Sequence, residues 1–195
     1  MRNRLIVLAT VAGLAVAATA QAGHHLWDFT EIYSNASGTI QYIELFTADN
    51  NEQGIGPFNV KAGTNQVNFV TNLSTALTAN TWVLIATPKF AGLPGAITPD
   101  YILPVENFFP TGGGSLNYAS GADIWNYGTV PTNGELALQR NGTSASNSPR
   151  NFAGGSGHVN LAAVPAAGSW TLVLLVGGLL LVSSGLLVRR RTTLA

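Results

Sequence analysis

The chain has 195 residues, no cysteine and a formal net charge of zero. The lack of cysteine excludes thiol catalysis, disulfides and cysteine metal sites. The zero charge averages unlike segments, because residues 23–160 contain four bases and nine acids, a net charge of −5. A domain of that sign is a poor partner for the phosphates of nucleic acid.

Residues 1–22 are typical of a secretory signal peptide. Arg2 and Arg4 precede an apolar run that starts at Leu5, and the small-x-small site Ala20-Gln21-Ala22 follows it. The alternative is an uncleaved anchor, but the run is shorter than the ~20 residues that a membrane-spanning helix needs. We therefore expect export, with cleavage after this site.

Residues 23–160 read as one exported β domain, long enough to build a core without disulfides. Short runs rich in β-branched and aromatic residues alternate with Gly, Pro and Asn-Gly turns. The predicted strands are 29–33, 39–46, 66–70, 81–87, 100–103 and 135–140. Many short strands without a long amphipathic helix favour a sandwich or barrel. After Asn141 the sequence becomes small and polar, which predicts a long closing loop or the start of a linker.

The first two predicted strands contain Asp28, Glu31 and Glu44 within an aromatic and β-branched run. Glu31 and Glu44, which we call the acidic pair, lie on neighbouring predicted strands and could meet the separation of about 5–10 Å that glycoside hydrolysis needs. A Ca²⁺ site is a second interpretation, although no dense Asp/Asn loop supplies the roughly six to eight oxygens that Ca²⁺ prefers. We favour the third, in which the glutamates are framework positions of an opening hairpin.

Three short motifs in residues 26–90 carry a family resemblance. Glu31-Ile32 ends the first strand, Ile43-Glu44-Leu45 lies in the second, and an apolar strand at 81–86 follows a turn. This order resembles the lamin-tail-domain family. The resemblance implies an immunoglobulin-like β-sandwich that serves as a binding or structural module of bacterial surface proteins, with no catalytic residues to transfer.

Histidine occurs only at positions 24, 25 and 158, so a Ser-His-Asp site would have to use one of these. If cleavage follows residue 22, the mature chain begins Gly23-His24-His25. A free amine, two deprotonated amides and the imidazole of His25 would then form a square-planar nitrogen set suited to Cu(II) or Ni(II). We expect no other cofactor.

The C-terminal region predicts one membrane helix. Residues 170–188 carry no charge, match the ~30 Å hydrocarbon thickness, and are followed by Arg189, Arg190 and Arg191. Because basic clusters stay on the cytoplasmic side, residues 189–195 form a cytoplasmic tail and the body lies outside. Residues 161–169 are the predicted linker.

Residues 164–191 combine Val164 and Pro165 with Trp170, an apolar helix and the arginines. This arrangement resembles the C-terminal sorting signals of the PEP-CTERM and IPTL-CTERM type. The resemblance implies a Gram-negative envelope or exopolysaccharide setting and processing by a sorting transpeptidase. A plain membrane anchor is the alternative.

We therefore predict a non-enzymatic cell-envelope protein, an exported all-β, immunoglobulin-like sandwich on one C-terminal helix, for adhesion or matrix interaction with polysaccharide or surface proteins. One alternative is a carbohydrate-binding module for exopolysaccharide. Its candidate aromatic platform is Trp27, Trp82, Trp125 and Tyr127, with 122–128 the strongest location unless those rings are core. The other is a small secreted hydrolase that uses the acidic pair.

Overall fold

The computed structural model describes residues 23–161. The predicted signal peptide, sorting motif, membrane helix and basic tail lie outside this range. No helix within residues 23–161 is long and apolar enough to cross a membrane.

Ten strands and one short helix make up the described part of the chain. In chain order they are β1 Asp28–Ser34, β2 Gln41–Thr47, β3 Asn59–Ala62, β4 Asn65–Asn68, β5 Thr81–Ala86, α1 Pro88–Ala91, β6 Tyr101–Ile102, β7 Gly114–Tyr118, β8 Asp123–Tyr127, β9 Leu136–Gln139 and β10 Ser144–Ser146. They form a six-stranded sheet of order β10-β9-β1-β2-β5-β6 and a four-stranded sheet of order β4-β3-β7-β8. All pairs are antiparallel except β5 with β6.

The opening hairpin forms as predicted. Asn35 starts the turn. Its N–H donates to the Ile40 carbonyl at 3.0 Å, and its Oδ1 accepts the Ile40 N–H at 3.1 Å. Gly38 adopts a φ of 68°, which glycine enters without the penalty that a Cβ imposes. The register between β1 and β2 shifts between Phe29 and Glu31, which is the signature of a β-bulge.

The two sheets pack face to face around one apolar core, so the fold is an all-β sandwich. The six-stranded sheet contributes side chains such as Ile43 and Val83, and the four-stranded sheet contributes Leu116 and Trp125, all buried. Sheets that pack in this way bury one face of each strand and leave the other face to be covered or solvated.

The six-stranded sheet is also covered on its outer face. There Tyr42 and Leu84 pack in a second cluster with Phe90 of α1 and Val159. We call residues 147–161 the closing segment, because it crosses this outer face after β10 and packs there through Val159 and Leu161. The polar tail predicted as a closing loop or linker is therefore a packed part of the domain.

Strands β3, β7, β8 and β10 were not predicted, and neither was the role of Gly114, which begins β7 instead of lying in a glycine loop. β3, β7 and β10 contain few of the β-branched and aromatic residues that are enriched in strands. Pairing with a neighbouring strand outweighs that low propensity. β8 does contain Ile, Trp and Tyr, and its burial alternates from residue to residue.

The alternation along β7 generates a stability prediction. Leu116 is fully buried, whereas the preceding Ser115 points outward and is exposed. We expect Leu116→Ala to lower the free energy of unfolding of the full-length chain by about 2–5 kcal/mol, because it leaves a cavity. The matched control Ser115→Ala should change it by about 0.5 kcal/mol or less. Urea denaturation measures both, and equal effects would contradict the assigned inner face.

Candidate functional site

The acidic pair lies in the middle of the opening hairpin. Glu31 on β1 and Glu44 on β2 are direct Cα partners, and both side chains are 0% exposed. Buried carboxylates need hydrogen-bond donors, since an ionised group taken out of water without partners is strongly unfavourable. Here the closing segment supplies donors to both.

Glu31 accepts four hydrogen bonds. The backbone N–H and hydroxyl of Ser148 donate to its two oxygens at 2.8 and 2.9 Å. The side-chain amide of Gln139 on β9 donates at 2.9 Å, and the Tyr42 hydroxyl donates from the neighbouring strand. Burial, together with Glu31, raises the pKa of Tyr42 well above its ordinary value, so that phenol remains a donor.

Glu44 forms a bidentate ion pair with Arg150. The guanidinium Nη2 and Nε lie 2.8 and 3.2 Å from its oxygens, and the backbone N–H of Arg150 adds a third contact at 2.8 Å. Thr30 donates its hydroxyl at 2.8 Å. Burial raises the pKa of Glu44, while the hydrogen bonds and charge of Arg150 act in the opposite direction. The guanidinium also stacks 4.1 Å from the centroid of the Trp82 ring.

These contacts leave the pair poorly suited to catalysis. A general acid and base need access to substrate within hydrogen-bond reach, but the oxygens of Glu31 and Glu44 bond to the protein itself. A cavity of about 250 Å³ lies nearby, lined by Trp82, Arg150, Asn151 and residues 154–156, and neither glutamate lines it. The two glutamates therefore hold the hairpin and the closing segment together, as expected of framework positions.

The structure does not bring Asp28 into this site. Asp28 is exposed and lies near Asp123 and Arg140, and its pKa is raised by partial burial and by the charge of Asp123. Within residues 23–161, no group of three His, Asp or Glu side chains could hold a metal ion together. The Ca²⁺ interpretation therefore has no geometric support among these acids.

Residues 23–25, the first that the structure describes, contact the rest of the domain through hydrogen bonds and ring stacking. Gly23 donates its N–H to the Asn51 carbonyl at 2.6 Å and accepts from Gly54 at 3.0 Å. The His24 ring stacks on Phe58 with centroids 3.6 Å apart, and burial lowers its pKa. The His25 ring meets that of His24 edge-on at 5.6 Å. The copper or nickel site stays a prediction, because it requires a chain that begins at Gly23.

Three of the four candidate platform aromatics are buried. Trp27 is 0% exposed and donates its indole N–H to the Glu52 carbonyl, while Trp125 and Tyr127 point into the core at 4% and 6%. The interpretation of 122–128 as an aromatic platform is therefore wrong, and its alternative, that these rings are core, is correct. Only Trp82 of the four is partly exposed, and Arg150 covers one face of its ring.

Sequence reasoning missed the polar residues that fasten the closing segment. The Asn147 side chain donates to the carbonyls of Glu135 and Val159 and accepts the Val159 N–H at 2.7 Å. One signal was available: buried glutamates demand donors, and Arg150 is one of only four bases in the domain. The partner of Asn147 is backbone, which no sequence pattern marks.

Asp100, the residue before β6, provides a further attachment of the closing segment. Its carboxylate accepts the Leu84 N–H at 2.8 Å and the Phe152 N–H at 3.0 and 3.2 Å. Burial raises its pKa, against the effect of these backbone hydrogen bonds.

Comparisons with known proteins gave no match: no protein-family model, no curated protein and no solved structure is significantly similar to this chain.

The buried ion pair should be worth far more than an exposed one. We expect Glu44→Gln to lower the free energy of unfolding of the full-length chain by about 3 kcal/mol, because it leaves Arg150 without its counter-charge. The matched control is Glu106→Gln, which breaks the exposed pair of Glu106 with Lys89 (2.8 Å) and should cost about 1 kcal/mol or less. Urea denaturation at pH 7 measures both free energies of unfolding. A larger loss of stability in Glu106→Gln than in Glu44→Gln would contradict the structural role of the buried ion pair.

Asp100 should stabilise the fold more in acid than at neutral pH. Because its folded-state pKa is raised, the folded chain takes up this proton before the unfolded chain does. Its contribution is complete below the unfolded pKa and is lost as the pH rises through the folded pKa. We expect the wild type to gain stability relative to Asp100→Asn as the pH falls from neutral, measured by denaturation across the pH range. A relative loss on acidification would contradict this.

Proposed function

We propose that this chain is a non-enzymatic protein of the bacterial cell envelope. In this proposal the β-sandwich is exported, held outside the membrane by the C-terminal helix, and used for adhesion or for contact with the surrounding matrix. Residues 1–22 would direct export and residues 170–188, with the arginines that follow, would anchor the domain.

One observation carries this proposal: the carboxyl oxygens of Glu31 and Glu44 are hydrogen-bonded inside the protein. These glutamates are the acids that a hydrolytic mechanism would use, and their oxygens accept hydrogen bonds from Tyr42, Gln139, Ser148, Thr30 and Arg150. A pair that is buried and internally bonded contributes to the fold. This favours a domain that acts through its surface over one that acts through an acidic active site.

The proposed finer fold is an immunoglobulin-like sandwich of the lamin-tail type. The motifs that carry the resemblance, Glu31-Ile32 and Ile43-Glu44-Leu45, lie in the two paired strands of the opening hairpin. Both are buried, which supports a framework role for these residues as a binding or structural module would need.

The proposed sorting step follows from the C-terminal motif. Val164, Pro165 and Trp170, with the arginines at 189–191, would be read by a sorting transpeptidase, and the anchor would then be removed or kept. If export exposes Gly23 as the first residue, His25 and the amine would complete the proposed copper or nickel site.

The test is to express the full-length chain in a Gram-negative host and to follow both ends. We expect it in the envelope fraction, with the body sensitive to protease added outside the inner membrane, and mass spectrometry should find Gly23 as the first residue. A cytoplasmic chain that retains Met1 would overturn the proposal. An envelope protein that starts elsewhere would remove only the metal site.

A further inference from the structure

The outer face of the four-stranded sheet is solvent-exposed and almost entirely polar. Along β3, β4, β7 and β8 buried residues alternate with residues that point away from the core, and only the inward positions at the starts of β4 and β7, Asn65 and Gly114, are not buried. We call these outward residues the amide face: Asn59, Lys61, Gln66, Asn68, Ser115, Asn117, Ile124 and Asn126. Five of the eight are Asn or Gln, and neither an acid nor an aromatic ring is among them.

Lys61 lies in the middle of this face. It is the cross-strand partner of Gln66 on β4 and of Asn117 on β7, and Asn117 in turn faces Ile124 on β8. The resulting row crosses all four strands and is about 14 Å long, given strand spacings of about 4.8 Å.

Lys61 is also the one base of residues 23–161 without an ion pair. Lys89, Arg140 and Arg150 each bind an acid at 2.8 Å. Residues 23–160 contain nine acids and have a net charge of −5, yet the Lys61 side chain lies among neutral amides. The amide face is therefore locally positive on a negative protein.

Two amide oxygens beside Lys61 lack donors. Asn59 Oδ1 and Asn117 Oδ1 are shielded and accept no hydrogen bond within the described residues. A shielded acceptor without a donor costs free energy. A ligand rich in hydroxyl groups supplies such donors after a small rotation of the amide.

We propose that the amide face binds an anionic polysaccharide whose sugar units carry hydroxyls and carboxylates. The hydroxyls of the sugar would form hydrogen bonds with the amide side chains, and its carboxylate would form an ion pair with the Lys61 ammonium. Nucleic acid would need several cations on this face, and a protein partner would need an apolar or aromatic centre. The proposal rests on the proposed function, since it names the matrix component that the displayed domain contacts.

The test uses the full-length chain in mild detergent, with polygalacturonate as the anionic probe and dextran as the neutral one. We expect binding to immobilised polygalacturonate that declines with added salt, and little retention on dextran. Lys61→Glu should weaken the binding about tenfold. The matched control Lys89→Glu, which changes an exposed lysine outside this face, should change it by about twofold or less.

A second variant tests the amides without touching the shielded ones. The side chains of Gln66 and Asn126 are exposed, and the Gln66 amide donates only to Asn68 on the same face. The double variant Gln66→Ala, Asn126→Ala should therefore fold normally and weaken binding about threefold or more. Unchanged unfolding midpoints verify the fold of each variant.

Three results would overturn the proposal. They are no binding to polygalacturonate, equal retention on dextran, and equal weakening by Lys61→Glu and Lys89→Glu. Self-association of the chain that Lys61→Glu abolishes would assign the face to a second copy instead. Each of these results leaves the envelope proposal intact, because that proposal depends on fractionation and on the mature termini.

Discussion

Two buried carboxyl groups facing each other across one hairpin constrain the rest of this domain. Glu31 and Glu44 are fully buried Cα partners, and such a pair is unstable unless donors and a counter-charge come from elsewhere. The hairpin itself supplies one donor to each carboxyl group, Tyr42 to Glu31 and Thr30 to Glu44. Ser148 and Arg150, more than a hundred residues later, supply further donors and the counter-charge of Glu44. The fold has to bring the end of the domain back over its beginning.

Because the closing segment returns over one sheet only, the two sheets are covered differently. The six-stranded sheet is covered by the core on one side and by α1 and the closing segment on the other. Strands covered on both faces become continuous apolar runs, and β2 and β5 are almost uninterrupted in burial. The four-stranded sheet is covered only by the core, so its strands alternate, and its outward residues are free to carry the amides and Lys61.

The same difference decides what could be read from the sequence. Apolar runs identified β1, β2 and β5, and the Asn-Gly pairs at 133–134 and 141–142 marked the two ends of β9, because both are local properties. Strands such as β3 and β7 contain Asn, Lys and Ser, and only pairing with neighbours gives them strand structure. The inward direction of Trp125 was equally hidden: in β8 its neighbours Ile124 and Asn126 offer no clear polar face, so the register with β7 decides. The acids were recognisable as framework, and the scarcity of bases limited the candidates for their counter-charge, but the sequence did not identify Arg150 or Ser148, since long-range hydrogen bonds leave no pattern in a single sequence.

The way the domain ends bears on how it could be tethered. The exit at Leu161 follows a segment held by Glu31 and Glu44, by Asp100 through Phe152, and by Asn147 through Val159. Leu161 itself donates its N–H to the Gly134 carbonyl. If the C-terminal helix anchors the domain, as proposed, a pull from beyond Leu161 acts on these hydrogen bonds before it acts on the exposed three-residue edge strand β10.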